Sequence, residues 1–436
     1  MAVEKTVLYG ENLAVNRPPR PTGGARVTLR GRGGESFGLS DRQFSTHSLL
    51  VGSTGCGKTN VQYQIMDQVL PRLPATDVAV VFDPDGTYAQ RYYDPGNPRH
   101  ILFAGGERWR RVTHSWNLFD ELRRPDGGLD PDWRLLAREL AEAIFCGKEN
   151  TQQPFFTIAP KDLLCDKLLD TVQLAEATGC KAMLNTKALL DWFKSAQLQD
   201  WRDMVQRVRP AHLMYFDTGK AELTAQSLGV FGELNAALSD TFDAFPTQGG
   251  RSFSVRQLME KRGGAVLFLE YDIALGEVQK TLLRLLFDLA LKFACGRQQG
   301  TTWFFCDELP VLPKLKYLPV ACNFGRSHGV RLVCALQSTN QLRDTYGDAA
   351  DSLLAGFCSL FAFHCYDHAT REYLTQRLGR QYTSLAFRAA DGRDAVETRE
   401  GHVLEDWDIN ALGVGEAVVA LAGDDCRPFR FRFAQV

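Results

Sequence analysis

A glycine-rich loop between an apolar segment and a helical pattern is the feature that most constrains this chain. The loop matches the pattern G-x-x-x-x-G-K-[ST] in full. Ser48–Val51 before it predicts a buried strand, and Thr59–Leu73 after it has apolar residues at four-residue spacing, as in an amphipathic helix. In that context the pattern predicts a P-loop, whose backbone N–H groups bind nucleotide phosphates at a helix N-terminus.

We expect every residue of this loop to bind nucleotide, and two of them to act on the terminal phosphates. Lys58 is predicted to reach the β- and γ-phosphates and to be catalytic, and Thr59 is predicted to bind Mg²⁺ through its hydroxyl. The predicted cofactors are therefore ATP and Mg²⁺. The nucleotide-binding residues are Gly52, Ser53, Thr54, Gly55, Cys56, Gly57, Lys58 and Thr59.

A P-loop ATPase needs a carboxylate at the end of another core strand, and one apolar segment supplies it. Thr302–Cys306 predicts a buried strand, and Asp307 and Glu308 follow it directly. Asp307 is expected to hold Mg²⁺ together with Thr59, and Glu308 is expected to be the catalytic carboxylate that polarises the attacking water. The intact P-loop favours this interpretation over an acidic strand-to-loop turn without a role.

Apolar segments of strand length recur along the chain and alternate with helical patterns. Asp77–Phe82 is β-branched and uninterrupted, which is typical of a strand buried on both faces of a parallel sheet. With Ser48–Val51 and the helix between them it predicts a right-handed βαβ unit. The alternation predicts an α/β fold with a mainly parallel central sheet. The further strand candidates are Gly264–Glu270, Thr302–Cys306, Val330–Leu336, Leu360–His364 and Gly415–Leu421.

Between about residues 125 and 250 helical patterns replace the strand patterns. One helix is expected to begin at Asp130-Pro131, with Asp130 as its N-cap, and another to end at Gly179. We therefore predict four regions. Residues 1–45 are an N-terminal segment of strands and turns, 46–125 the first part of the nucleotide-binding domain, 126–250 an inserted all-α domain, and 251–436 the second part of the nucleotide-binding domain. For residues 1–45 we favour a solvent-exposed, turn-rich segment that leads into the domain over an arm that contacts phosphate.

Composition excludes several classes of protein. The 436 residues include 50 Lys and Arg against 52 Asp and Glu, a formal charge of −2. A uniformly basic nucleic-acid coat is therefore excluded, while a local basic lining is not. The eleven cysteines form no C-x-x-C pair, which favours reduced thiols in the cytoplasm over a disulfide framework. Since no apolar run approaches the roughly 20 residues of a membrane span, we expect a cytoplasmic protein without one.

Several further segments go beyond what a P-loop alone requires. They are Asp307–Pro310, Leu318, Phe324–Gly329, Leu336–Ser338, Gln341–Leu342 and Tyr346–Gly347, with Asp83–Gly86, Trp116–Asp120 and Leu378–Gly379 elsewhere. Together they resemble the TraG/TraD-type coupling proteins of type IV secretion and conjugation, in the FtsK–HerA branch of RecA-like P-loop ATPases. The resemblance covers about residues 45–436 and is most specific within 302–350.

This resemblance implies a RecA-like core with an all-α insertion, assembled into a homo-oligomeric ring, in this family a hexamer, that uses ATP to move DNA or nucleoprotein. It implies that Gln337 senses the γ-phosphate and that Arg326 reaches the neighbouring subunit's nucleotide, both as catalytic residues. An ordinary strand-end amide and a surface salt bridge are the respective alternatives. It also implies DNA of unspecified strandedness, a relaxase and other secretion-apparatus proteins as partners, and recruitment to the inner face of the bacterial membrane.

Three features depart from the family pattern. Family members usually begin with membrane-spanning helices, which this sequence does not show. Within the segment Asp83–Gly86, Asp85 stands where the family usually has a basic residue. The overall charge balance is slightly acidic. DNA contacts in a channel would come from local clusters, for which a solvated face is the favoured alternative. These clusters are Arg108, Arg110 and Arg111, and Arg202, Arg207 and Arg209.

Two other functions stay open at this point. A HerA-like motor could work with a nuclease in DNA processing or defence, and the nuclease would then be a separate protein. A nucleotide-gated adaptor could recruit secretion substrates, with ATP setting only its conformation.

Overall fold

The computed structural model describes residues 4–10, 13–15, 18, 24–146, 152–216, 223–245, 251–276, 278–296, 300–312, 314–388, 394–423 and 427–436. The chain divides into two compact units. The first contains Met1–Pro74, Cys295–Pro310 and Leu318–Val436. The second contains Ala75–Ala294 and Val311–Tyr317.

The strands and helices are numbered here in chain order. The strands are β1 (Glu4–Gly10), β2 (Ala14–Val15), β3 (Val27–Arg30), β4 (Ser36–Leu39), β5 (Ser48–Val51), β6 (Val78–Asp83), β7 (His100–Ala104), β8 (Ser115–Trp116), β9 (Ser252–Phe253), β10 (Ala265–Glu270), β11 (Thr302–Cys306), β12 (Val330–Leu336), β13 (Ser359–Phe363), β14 (Arg380–Arg388), β15 (Asp394–His402), β16 (Glu416–Ala420) and β17 (Phe429–Arg432). The helices are α1 (Asp41–Phe44), α2 (Lys58–Val69), α3 (Thr87–Tyr92), α4 (Trp133–Ile144), α5 (Phe155–Thr178), α6 (Thr186–Ser195), α7 (Leu198–Val208), α8 (Ala225–Phe242), α9 (Val255–Lys261), α10 (Val278–Cys295), α11 (Leu318–Phe324), α12 (Thr339–Tyr346), α13 (Ala349–Gly356), α14 (His368–Arg377) and α15 (Asp406–Asn410).

The first unit is built on a sheet with the strand order β2-β17-β16-β13-β5-β12-β11. Strands β13, β5, β12 and β11 run parallel, and β16 and β17 pair antiparallel at one side. Every residue of β5, β11 and β13 is buried, as the apolar segments predicted. The predicted mainly parallel α/β sheet is confirmed.

The predicted βαβ unit does not pair its two strands directly. The hydrogen-bonded neighbours of β5 are β12 and β13, which lie far later in the chain than β6. Strands from the second half of the sequence therefore occupy both sides of β5. A local pattern identifies the strands but not their neighbours in the sheet.

In the second unit three parallel strands have the order β6-β10-β7. Every residue of β6 and β10 is buried. Between residues 126 and 245 the described residues form α4 to α8 and short 3₁₀ turns, with a single isolated bridge at Leu129 and no longer strand. Helix α5 ends at Thr178, and its C-cap residue Gly179 has a φ of 70°, as the sequence predicted. No helix in the described part of the chain is both long and apolar enough to cross a membrane.

The predicted start of the first of these helices is wrong by a few residues. Helix α4 begins at Trp133, with Asp132 rather than Asp130 at the N-cap position. The carboxylate of Asp130 instead accepts hydrogen bonds from the guanidinium of Arg256 and from the backbone N–H of Asp132 (2.7 Å). The carboxylate of Asp130, which the local pattern assigned to a helix cap, thus forms an ion pair with Arg256 on the distant helix α9.

A three-stranded antiparallel sheet in the first unit was not predicted. Its order is β1-β14-β15, and β14 and β15 pair along nine residues each. The sequence of β15, Asp-Ala-Val-Glu-Thr-Arg-Glu-Gly-His, is mostly polar. Backbone pairing with β14, rather than apolar burial, defines this strand, so hydrophobic periodicity gives no signal for it.

Two buried carboxyl groups end neighbouring strands of the second unit. Asp83 and Glu270 are Cα partners at the carboxyl ends of β6 and β10, and each is more than nine-tenths buried. Asp83 accepts a hydrogen bond from the backbone N–H of Ala89 (2.7 Å), and Glu270 accepts one from the Trp109 indole (3.3 Å). Burial, and to a lesser degree neighbouring carboxylates, raise the pKa of both groups to about 7.

These raised pKa values predict a stability that falls with pH. The pKa of Glu270 is about 7 in the folded protein and near its ordinary value of 4.5 when unfolded, so its contribution is fully present below about pH 4.5 and is lost as pH rises through 7. Glu270→Gln keeps an acceptor for the Trp109 indole and buries no charge. We expect this variant to raise the midpoint of thermal unfolding by about 2–6 °C at pH 8 and by less at pH 5. Equal shifts at both pH values would contradict the assignment.

Candidate nucleotide-binding site

The carboxyl ends of three parallel strands bring the predicted site residues to one edge of the first unit's sheet. In register, Val51 of β5 pairs with Leu336 of β12, and Cys306 of β11 pairs with Cys334 of β12. The glycine loop follows β5, Gln337 follows β12, and Asp307 with Glu308 follows β11. Since the strands are buried, packing of the sheet holds these positions together.

Glycines in the loop occupy places where a side chain does not fit. Gly57 has a φ of 112°, and a Cβ atom there would lie 3.0 Å from the Cα atom of Gly415. At Gly52 a Cβ atom would lie 2.6 Å from the Cβ atom of Phe363. The loop is thus closely packed against β13 and against the segment that leads into β16.

Hydrogen bonds fix the loop to the same two segments. The backbone N–H of Ser53 donates to the carbonyl of His364 (2.9 Å), and the backbone N–H of Tyr366 donates to the Ser53 hydroxyl (3.0 Å). The backbone N–H of Gly415 donates to the Cys56 carbonyl (2.9 Å). The loop conformation therefore depends on residues about 310 to 360 positions later in the chain.

Lys58 begins helix α2 and is buried. Its Nζ atom donates to the carbonyl oxygens of Gly52 (2.6 Å) and Ser53 (3.1 Å). The ammonium group and the helix N-terminus both place positive charge within the loop. Together with the loop N–H groups they form a site suited to a chain of phosphate groups.

Thr59 and Asp307 face each other across the site. The Thr59 hydroxyl lies 3.2 and 3.0 Å from the two carboxylate oxygens of Asp307, to which it donates. A hydroxyl and a carboxylate are the oxygen ligands that Mg²⁺ prefers beside phosphate. These two residues therefore fit the predicted ion, and Thr59 directly follows Lys58 in the chain.

Glu308 lies beside Gln337, and both are close to the loop. Burial raises the pKa of Glu308 to about 7, with a smaller contribution from Asp307, while hydrogen bonds from Gln337 and the charge of Lys58 oppose the rise. One carboxyl oxygen, Oε1, is buried and has no hydrogen-bond partner among the described residues. The Gln337 side-chain oxygen accepts a bond from the Thr54 hydroxyl (2.9 Å), so this amide touches the loop directly.

Arg326 does not lie with the other predicted residues. It is exposed, in a 3₁₀ turn (Gly325–His328) that precedes β12, whereas Gln337 follows β12. The two residues are therefore at opposite ends of a seven-residue strand, which spans about 23 Å at 3.3 Å per residue. Arg326 lies at the edge of the sheet away from its own chain's P-loop.

The two arginine clusters differ in their partners. Arg207 pairs with the buried carboxylate of Asp170 (2.9 Å), and Arg209 pairs with that of Asp166 (3.6 Å). These arginines are therefore engaged within the helical segment. Arg108 lies 5.0 Å from the centre of the Trp109 ring, and Arg110 forms an exposed pair with Glu107 (3.3 Å).

The residues that border the loop on its other side were not predicted from the sequence. Arg32, Asn60, Val414 and Arg432 line a hollow that also includes loop glycines. Except for Asn60, these residues come from segments with no nucleotide-binding motif. Only their pairing in the folded sheet brings them to the loop, so no sequence signal was available.

Comparison with curated proteins finds relatives among conjugation proteins. The coupling protein TraD of Escherichia coli (strain K12) is 25% identical over 406 residues, which cover 86% of this chain and 50% of TraD. The conjugal transfer protein TraG of Agrobacterium fabrum is 31% identical over 137 residues, which cover 30% of this chain and 20% of TraG. The chain thus spans about half the length of the TraD relative.

Comparison with solved structures finds the same fold in coupling proteins. The unbound bacterial conjugative coupling protein TrwBdeltaN70 matches with a TM-score of 0.76 at 22% identity, covering 98% of this chain and 93% of that one. Plasmid coupling protein TrwB in complex with a non-hydrolysable ATP analogue matches with a TM-score of 0.75 at 21% identity, covering 99% and 95%. These structures confirm the predicted fold, an α/β P-loop core with an all-α insertion.

A family model also matches most of the chain. It is described as the type IV secretion-system coupling protein DNA-binding domain, and it matches residues 36–405. That range includes the P-loop, the helical segment and the strand ends that carry Asp307 and Gln337. This protein therefore belongs to the family of the type IV secretion-system coupling protein DNA-binding domain.

Proposed function

We propose that this protein hydrolyses ATP with Mg²⁺ and uses the energy to move DNA, or DNA attached to protein, into a type IV secretion channel. One observation carries the proposal: the P-loop, the Asp307–Glu308 pair and Gln337 lie together at one edge of parallel strands. The relatives support it, since TraD is a coupling protein and TrwB has been solved with ADP and Mg²⁺.

The residues that would bind phosphate and Mg²⁺ are hydrogen-bonded to one another in this structure. The loop N–H groups would hold the phosphate chain, and the Lys58 ammonium would exchange the carbonyls of Gly52 and Ser53 for β- and γ-phosphate oxygens. Thr59 and Asp307 would hold Mg²⁺, which when bound neutralises charge on the terminal phosphates. Each of these residues already lies within hydrogen-bond distance of another member of the site.

Glu308 is the residue we assign to water activation. Its unpartnered Oε1 atom can accept a proton from water, and a pKa of about 7 suits a group that must take up and release a proton near neutrality. Gln337 forms hydrogen bonds with both Glu308 and the loop residue Thr54, so it can couple the presence of a γ-phosphate at the loop to the position of Glu308.

Glu308→Gln tests this assignment. The variant keeps shape and hydrogen bonding but cannot take a proton, so we expect ATP binding to persist and steady-state hydrolysis to fall by about 10²–10⁴-fold. Lys58→Ala should instead lose nucleotide binding. Glu372→Gln removes an exposed carboxylate and should behave as wild type. Calorimetric binding and phosphate release measure the two effects, and a Glu308→Gln variant with normal turnover would rule out the role.

The position of Arg326 favours a ring. Because this arginine lies at the far edge of the sheet, it cannot serve the phosphates bound by its own loop, but it is exposed and free to reach a second copy. A guanidinium there would stabilise charge on the transferring phosphoryl group of the neighbour. We propose a closed homo-oligomeric ring, a hexamer, in which every site is completed by the next subunit.

Mixed rings test this role. Arg326→Ala alone should lose about 10³-fold or more of its ATP turnover. A mixture of Arg326→Ala with Lys58→Ala subunits should recover activity at roughly one quarter of the interfaces by random mixing, because each variant supplies what the other lacks. Arg343→Ala, which removes an arginine from an exposed ion pair, is the control and should act as wild type. Normal turnover of pure Arg326→Ala, or an inactive mixture, would refute the trans role.

DNA and a secretion apparatus are the partners we propose. The matching family is named for a DNA-binding domain, and the TraD and TraG relatives belong to conjugation. With a net charge of −2, contact with DNA would rest on a local lining of the ring. A relaxase bound to the DNA would be the protein cargo, and the ring would act at the inner membrane face beside the channel.

ATP turnover measured across protein concentration, with and without single- and double-stranded DNA, tests this proposal. A ring motor should show turnover that rises steeply with protein concentration and with DNA. Raising salt from about 50 to 200 mM should remove the DNA effect, because phosphate contacts release counterions. Glu308→Gln is the blank. Slow, DNA-insensitive turnover would favour the nucleotide-gated adaptor, and co-purification of a nuclease would favour the HerA-like role.

A further inference from the structure

Two hollows lie beside the P-loop on the side away from the Mg²⁺ residues. In the sheet order, β12 and β11 lie on one side of β5, and β13, β16 and β17 lie on the other. Thr59, Asp307 and Glu308 mark the γ-phosphate end, on the β11 side. The opposite end of a nucleotide must therefore extend toward β13, β16 and β17, where both hollows are found.

The hollows differ in size and in the part of the loop they touch. The larger, here the Asn60 hollow, measures about 480 Å³ and is lined by Gly57, Asn60, Arg32, Arg432, Phe433 and Gln435. The smaller, here the Tyr366 hollow, measures about 260 Å³ and is lined by Ser53, Cys56, His364, Tyr366 and Asn410. Pockets for ligands of nucleotide size are typically about 300–1,000 Å³, which favours the Asn60 hollow.

Backbone pairing brings two arginines together at this hollow. Arg32 lies in the turn between β3 and β4, and its backbone N–H donates to the carbonyl of Arg432 at the end of β17 (2.9 Å). The adjacent residues Gly31 and Phe433 form a β-bridge. Both arginine side chains are exposed, and both border the loop glycines.

The C-terminal residues fix this hollow against helix α2. The Asn60 side-chain amide donates to the Ala434 carbonyl (2.8 Å), and its oxygen accepts from the backbone N–H of Val436 (2.9 Å). The Gln64 amide also donates to Ala434 (2.8 Å). Asn60 follows Thr59 directly, so the hollow opens where the phosphate chain leaves the helix N-terminus.

We propose that the Asn60 hollow binds the nucleoside half of the nucleotide, with the guanidinium groups of Arg32 and Arg432 against the faces of the base. This inference rests on the proposed ATP function and names the residues that recognise the nucleoside. Planar guanidinium groups stack on any base, whereas the loop N–H groups and Lys58 already serve the phosphates. The two arginines therefore bind the base and leave the phosphates to the loop.

Comparison of ATP with inorganic tripolyphosphate, each with Mg²⁺, tests this assignment in the full chain. Tripolyphosphate has the phosphate chain of ATP but no nucleoside. Arg32→Ala and Arg432→Ala should each weaken ATP binding by about threefold to thirtyfold and leave tripolyphosphate binding unchanged. Arg380→Ala, which removes an arginine from an exposed ion pair with Glu400, should change neither. Thermal unfolding checks that all three variants are folded.

Other outcomes overturn the assignment. Equal losses for ATP and tripolyphosphate would mean that the arginines contact phosphate. A loss of ATP binding confined to Tyr366→Ala would place the nucleoside in the Tyr366 hollow. If wild-type protein binds tripolyphosphate and ATP equally well, no nucleoside contact exists, although the phosphate site stands. If it binds neither ligand, the proposed ATP function itself fails.

Discussion

The parallel register of β5, β12 and β11 is the constraint on which the site depends. Val51, Leu336 and Cys306 lie near the same sheet edge, and each is followed at once by a residue that we propose acts on phosphate, Mg²⁺ or water. A shift of one residue in any strand would turn alternate side chains to the other face and move the following residue away. Burial of the strands on both faces makes such a shift costly, so the sheet core fixes the distances on which the chemistry depends.

Patterns of neighbouring residues in the sequence predicted the part of the candidate site that contiguous segments form. The strand, the loop and α2 are contiguous, and Asp307 follows an apolar strand, so pattern alone identified them. The antiparallel β14–β15 pair was not predicted because β15 is mostly polar, and Asp130 was misassigned because its partner Arg256 lies 126 residues away. The hollow between Asn60 and Arg432 depends on long-range pairing, which no periodicity reveals.

Because of the position of Arg326, the proposed nucleotide binding and the proposed nucleotide hydrolysis depend on residues at opposite edges of the sheet. The residues that we propose hold phosphate belong to one edge of the sheet, and this arginine belongs to the other, with the length of β12 between them. With the roles proposed above, one chain binds a nucleotide with its own residues, whereas its Arg326 can act only on the nucleotide of another subunit. In a ring, turnover then depends on contact between subunits, so a conformational change in one subunit can control the chemistry in the next.

The proposed nucleotide binding at this site would proceed by exchange of hydrogen bonds. Lys58 bonds to two loop carbonyls, and Thr59 bonds to Asp307, so the groups that would meet phosphate and Mg²⁺ are already satisfied by each other. Replacing bonds of similar strength yields only a modest net gain per bond. The charge of Mg²⁺ and the nucleoside must then supply much of the net affinity. The hollow bordered by the exposed side chains of Arg32 and Arg432 is separate from these Lys58 and Thr59 hydrogen bonds, so the proposed base contacts would add affinity without disturbing them.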